Sequence, residues 1–257
     1  MHILITGASS GIGESIAREF GSNPNNSLTL VARRKDKLVA LADSLNAQTL
    51  VLPCDLSVPE NVPELVQLAV DQFGPVDKLV NNAGMNCFKG AGDVTHLEAA
   101  KLFNLNVLSP MALVEAVLPG MKERQDGGIV NVASVAAVNT PTGMAHYAAT
   151  KAALAKYSEA LHVESKEHGV HVVTVYPGPV ATPMEVRARE TFGGSFGAAD
   201  KLPMGTPEEL ALKISKALTA KTRKIYYPDF YRSAFMFPNL SQCLTEKFSP
   251  GLETLNA

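Results

Sequence analysis

Ser134, Tyr147 and Lys151 are the residues whose types and spacing could do chemistry together. A tyrosine and a lysine four positions apart on a helix lie one turn above each other on the same face, so the ammonium can sit close to the phenol. A free tyrosine titrates near pH ~10 and is a poor acid or base at neutrality, whereas a neighbouring cation favours the phenolate and brings the pKa toward the working range. The pair therefore reads as a proton-transfer unit. Ser134 stands thirteen positions before Tyr147 and ends the apolar run Gly128-Ile129-Val130-Asn131-Val132-Ala133. That run reads as a buried strand, so the hydroxyl projects from the C-terminal end of a strand, the edge at which open parallel sheets bind ligands. The Tyr-x-x-x-Lys spacing alone also fits a surface lysine resting on a half-buried tyrosine, so the surrounding elements must decide.

Those elements alternate along the whole chain. Apolar runs predict strands at 2–6, 27–32, 48–53, 77–81, 128–133, 170–176 and 223–227. Amphipathic stretches predict helices at about 12–21, 35–46, 60–73, 96–122, 144–168 and 207–220. Repeated βαβ units imply a parallel sheet covered by helices on both faces, and 257 residues with 46% hydrophobic content suit one large α/β domain.

Composition narrows the partners. A formal net charge of −2, with Arg33-Arg34-Lys35 as the longest basic run, argues against nucleic acid and for a small molecule. The three cysteines, Cys54, Cys87 and Cys243, are widely spaced and outside any C-x-x-C pattern, which fits a reducing compartment. None of the six histidines forms an H-E-x-x-H pair, so no metal site is expected; His146 beside Tyr147 points about 100° away from it. The chain opens in an apolar strand without a charged leader, and no run of 18 apolar residues occurs. The expectation is a soluble, cytoplasmic protein.

The first strand runs into Thr6-Gly7-Ala8-Ser9-Ser10-Gly11-Ile12-Gly13 and then a helix. Glycines there let the backbone approach a pyrophosphate, and a helix N-terminus offers free N–H groups to it. The spacing departs from G-x-G-x-x-G, and a tight βα connection would use glycines too. The second strand ends in Arg33-Arg34, with no acidic residue before Asp36. An acidic residue there would bind a ribose 2′-hydroxyl, whereas arginine accommodates a 2′-phosphate, so NADP is expected over NAD. Cys54-Asp55-Leu56 and Asn81-Asn82-Ala83-Gly84 follow the third and fourth strands, where they would line the adenosine side of a cleft or simply turn the chain. Asn104 and Asn106 lie amid apolar residues, and a buried Asn106 must be a structural tie or part of a polar relay. Tyr176 to Pro183, with three prolines, reads as a stiff loop that positions Val180 and Thr182.

Together these residues resemble the short-chain dehydrogenase/reductase family over about residues 1–227. The marks stand in family order: the Thr-Gly-xxx-Gly-x-Gly turn, Asp55, Asn-Asn-Ala-Gly, the helix Asn106, Ser134, Tyr147-x-x-x-Lys151, and Pro-Gly with Thr182. The resemblance implies a single-domain, doubly wound Rossmann fold around a seven-stranded parallel sheet. It implies hydride transfer between a nicotinamide and a carbonyl or secondary alcohol. Tyr147 would be the acid/base, Lys151 would lower its pKa and bind the nicotinamide ribose, Ser134 would hydrogen-bond the substrate oxygen, and Asn106 would hold a water linking Lys151 to solvent. Gly7, Ser9, Gly11, Ile12 and Gly13 would cradle the pyrophosphate. Asp55, Leu56 and Asn82 would face the adenosine, Val180 and Thr182 the carboxamide, and Arg33 with Arg34 the 2′-phosphate. In this family a basic residue directly after the second strand marks NADP users; the other such mark, a basic residue at the position of Ser10, is not present here. A homodimer or homotetramer, paired through the helices at 96–122 and 144–168, is also implied.

Two regions stand outside those marks. Residues 184–205 hold Met184, Phe192, Gly193, Gly194, Phe196, Gly197 and Met204, and glycines beside large apolar residues suit a mobile substrate lid. Met85, Cys87 and Phe88 read as core or pocket wall rather than as reactive groups. Beyond residue 227, the 228–257 tail completes a set of seven aromatics, Tyr226, Tyr227, Phe230, Tyr231, Phe235, Phe237 and Phe248. Such density is rarely left in water: the tail packs on its own subunit, covers the pocket or a partner subunit, or, less favoured, touches a membrane. The rival functions are a non-catalytic NADP-binding regulator, which would not need Tyr147, and a nucleotide-sugar dehydratase or epimerase, which would need a longer C-terminal domain.

Overall fold

The computed structural model describes residues 1–194, 200–249 and 251. Among them seven strands form one parallel sheet: β1 His2–Thr6, β2 Ser27–Ala32, β3 Gln48–Pro53, β4 Lys78–Asn81, β5 Gly127–Val132, β6 Val170–Pro177 and β7 Lys224–Tyr227. Their order is β3-β2-β1-β4-β5-β6-β7. The chain reverses its winding between β1 and β4, so a crevice opens above the C-terminal ends of those two strands. The helices that wind it are α1 Gly11–Gly21, α2 Lys35–Ala42, α3 Val62–Phe73, α4 His96–Phe103, α5 Ser109–Glu123, α6 Ala145–Ser165 and α8 Pro207–Ala220.

Alternation along each strand builds two cores. Ile3 and Ile5 of β1 face one layer with Leu28, Leu30, Val173 and Val175, closed by Ile16 of α1 and Leu210 and Ile214 of α8. Leu4 faces the other with Leu79, Ile129 and Val172, closed by Leu65 of α3 and Leu113, Val114 and Val117 of α5. Both faces are covered, which is why the strands read as continuous apolar runs. The stretch His96–Glu123 has the length and hydropathy to cross a membrane, yet its apolar residues form part of this second core.

Three features depart from the expected elements. The expected helix 96–122 is interrupted by a π-helical turn, Asn104–Leu108, between α4 and α5. The lid expected at 184–205 begins as a helix, α7 Pro183–Thr191, because Thr182 caps it by accepting from the Glu185 N–H, proline occupies its first turn, and Glu185 pairs with Arg189 one turn on. Phe196 and Gly197 of that lid lie outside the described residues. The tail forms two helices, α9 Arg232–Met236 and α10 Pro238–Phe248.

Candidate active site

A buried polar ladder fixes the floor of the crevice. The Asn81 amide donates to Asn131 at 2.9 Å across β4 and β5, Asn131 donates to Ser158 of α6 at 3.1 Å, and Thr174 of β6 donates to Ser158 at 2.7 Å. Hydrogen bonds of this kind, shielded from water, set α6 in one register against the sheet. The buried stripe of α6 runs Tyr147, Thr150, Lys151, Leu154, Ser158, Leu161 at helical intervals, so the ladder that holds Ser158 also places Tyr147 and Lys151.

At the mouth of that stripe the Ser134 hydroxyl, from the turn after β5, lies against the buried Tyr147 phenol; it accepts from the Ala136 N–H at 3.1 Å and donates to the Pro177 carbonyl at 3.4 Å. The Lys151 ammonium lies 5.9 Å from the centre of the Tyr147 ring and donates to the Val132 carbonyl at 2.8 Å. Burial holds Lys151 well below the ordinary lysine value, at about 8. The Tyr147 phenol is pushed upward, first by burial and further by the charge of Glu185, against the opposing effect of the Ser134 hydroxyl. The spacing of the pair predicts the opposite direction for Tyr147. Desolvation dominates there, while the Lys151 ammonium donates to the Val132 carbonyl.

The other site residues line one cavity of about 930 Å³ that begins at Arg33 and Arg34 and reaches Ser134, Tyr147 and Lys151. Gly7, Ser9, Gly11 and Ile12 form its wall where β1 turns into α1. Gly7 takes a φ of +69°, a conformation that a side chain disfavours. No side chain caps the N-terminus of α1, so its first-turn N–H groups remain for an anion in the crevice. Gly13 is the exception among the cradle residues, because it does not line the cavity: a Cβ there would lie 2.3 Å from the Gly7 carbonyl and 2.4 Å from the Asn82 amide, so Gly13 lets α1 close on the turn.

Asn82 lines the cavity and also ties the turn to β4, donating to the Thr6 carbonyl at 2.9 Å. Asp55 and Leu56 form the wall after β3. Burial raises the Asp55 carboxyl, but hydrogen bonds from the Ser57 N–H and hydroxyl outweigh it and hold the group ionised below its usual range. Arg34 donates to the hydroxyls of Ser9 at 2.9 Å and Ser10 at 2.7 Å, while exposed Arg33 has no hydrogen-bond partner among the described residues. Val180 and Thr182 line the opposite wall.

Asn106 is not in the cavity wall. It sits fully buried in the π-turn, accepts from the Met85 N–H at 3.0 Å, and donates to the Met85 carbonyl at 2.9 Å and to Thr150 at 3.0 Å. Its side chain therefore ties the strand β4 exit to the second turn of α6. Sequence reading misses Glu185, a half-buried carboxylate in the cavity wall whose pKa burial raises; side chains of α10, from the aromatic tail, line the far wall. Phe88, from the segment after β4, also lines the cavity and meets Phe192 edge to face at 5.6 Å.

Similarity to known proteins agrees with this geometry. Residues 1–192 match the family described as short chain dehydrogenase. An NADP-dependent 3-hydroxy acid dehydrogenase of Schizosaccharomyces pombe is 36% identical over 231 residues, 85% of this chain and 87% of that protein. A short-chain dehydrogenase of Sphingobium yanoikuyae solved with NADPH superposes with a TM-score of 0.79 at 28% identity, over 95% of each chain. A 3-ketoacyl-(acyl-carrier-protein) reductase of Brucella melitensis solved with NADH gives 0.77 at 26% identity, over 88% of this chain and 96% of that one. With the reversed sheet order, the glycine-rich turn on β1 and the Ser134, Tyr147 and Lys151 cluster, these matches make the chain an oxidoreductase of the short-chain dehydrogenase/reductase family.

Proposed function

We propose that the chain is an NADP(H)-dependent oxidoreductase that interconverts a carbonyl and a secondary alcohol, with Tyr147 as the acid/base. The observation that carries this reading is the cluster of the Ser134 hydroxyl, the Tyr147 phenol and a buried Lys151 in one cavity that Arg33 and Arg34 also line. The residues fit a dinucleotide: uncapped N–H groups of α1 beside Gly7, Ser9, Gly11 and Ile12 suit the pyrophosphate, and Arg33 suits a 2′-phosphate because its guanidinium is not tied to the protein. When bound, the nicotinamide supplies or accepts the hydride.

The protein's own part is orientation and the proton. Ser134 and Tyr147 present two hydroxyls to one substrate oxygen, which places the carbonyl carbon against the cofactor end of the cavity. A phenol held protonated by burial is the form that donates to that oxygen as it becomes an alkoxide in the reductive direction. Lys151 would use the donors that its bond to the Val132 carbonyl leaves over to bind the ribose and to stabilise the phenolate left after donation. Asn106 positions this group by holding the start of α6, and the π-turn it occupies is where a water connecting Lys151 to solvent would be held.

The test is NADPH and NADH consumption over a panel of aldehydes and ketones with the native chain and Tyr147→Phe. The expected result is NADPH-dependent turnover that falls by 10²-fold or more in the variant, the range of general acid catalysis, with NADPH binding retained. Turnover indifferent to Tyr147→Phe would overturn the assignment.

A further inference from the structure

The nucleotide and the reacting oxygen leave the far wall of the cavity unused, and that wall is α10. Phe237, Leu240, Leu244 and Phe248 recur at intervals of three or four and form one stripe, with Ser241 and Thr245 its polar members. All of them line the cavity. A stripe of this kind ordinarily buries itself in a core. Here it faces the cavity and stays 59, 61, 48 and 49% exposed, and no residue of α10 is buried.

Polar bonds rather than apolar packing hold the helix there. Asn139 donates to Ser241, the Thr140 N–H donates to Gln242 at 3.1 Å, and the Thr142 N–H donates to Ser249 at 2.9 Å. These anchors belong to the segment between Ser134 and α6, so the stripe is fixed relative to the reacting hydroxyls. At about 1.5 Å per residue, 11 residues give a wall roughly 16 Å long. Its cavity-facing stripe carries no charged side chain, so a sugar laid along it would lose hydrogen bonds to water without replacement, whereas an aliphatic chain would not.

We propose that the α10 stripe is a subsite for a long aliphatic chain borne by the carbonyl substrate. The carbonyl chemistry rests on the function proposed above; the chain subsite rests on the tail alone.

The test is equilibrium binding, with NADPH present, of linear 2-ketones and 2-alcohols from four to twelve carbons, beside their KM and kcat. The expected result is a Kd that falls roughly three- to fourfold per methylene over the middle of the series. Phe237→Ser/Leu240→Ser/Leu244→Ser should flatten that slope and raise KM most for the longest ketones. Leu240→Ser alone, at a side chain already mostly in water, should flatten it partly without loss of fold. A Kd independent of chain length, or a slope intact in the triple variant, would overturn the proposal, including the case where the variant instead loses self-association or vesicle binding. A steep slope in binding without turnover keeps the subsite and sinks the reductase reading; turnover of short polar carbonyls with a flat slope does the reverse.

Discussion

Lys151 shows what the cluster demands of a single residue. It is 4% exposed, and burial alone brings its pKa to about 8. A lysine depressed on folding binds fewer protons than the unfolded chain between that value and its ordinary 10.5, so stability rises with pH across this window. Lys151→Met should therefore unfold at higher denaturant than the native chain at pH 7, and its advantage should shrink by about 1–2 kcal/mol at pH 9.5. Urea titrations at the two values measure this, and an advantage independent of pH would contradict it. The comparison stays below pH ~10, because the raised Tyr147 phenol works in the other sense above that. The three residue types were legible in the sequence because proton transfer needs them and a helix fixes their spacing. The direction of the Tyr147 shift was not, since it depends on how deeply the fold buries the phenol.

Element by element, the seven strands were legible because each is an apolar run bounded by turn residues, and both faces of the sheet are covered. Helix α7 was missed although its start is written in Thr182-Pro183-Met184-Glu185, the same cap that opens α8 at Thr206-Pro207-Glu208-Glu209. The glycines at 193 and 194 drew attention to a lid and away from the cap. The π-turn at Asn104–Leu108 has no sequence signal of its own; it shows only through the bonds of Asn106. In the tail the aromatic density was plain, but two fates inside it are not distinguishable by composition. Tyr226 stacks on Tyr176 at 5.4 Å and Tyr231 and Ala234 line the cavity as buried residues, whereas Phe237 and Phe248 line it while exposed. The difference lies in the anchors of α10 to 139–142, which join residues about a hundred positions apart.

At the scale of the molecule, one sheet brings the arginines after β2, the glycine turn after β1 and the α6 pair to a common edge, so cofactor binding should be read by the stability of the whole fold. A ligand at a hundredfold its Kd adds about 2.7 kcal/mol. Equal concentrations of NADPH should raise the melting temperature more than NADH, and Arg33→Glu should abolish that difference; a larger shift with NADH in the native chain would contradict the 2′-phosphate assignment. The most direct test of the central claim follows the hydride itself. NADPH deuterated at the transferred position would be incubated with a long-chain 2-ketone, and the product alcohol analysed by mass spectrometry. Deuterium on the carbinol carbon, formed by the native chain and absent or at least 10²-fold slower with Tyr147→Phe, is the predicted result. Alcohol without the label, or label delivered equally well by the variant, would contradict it.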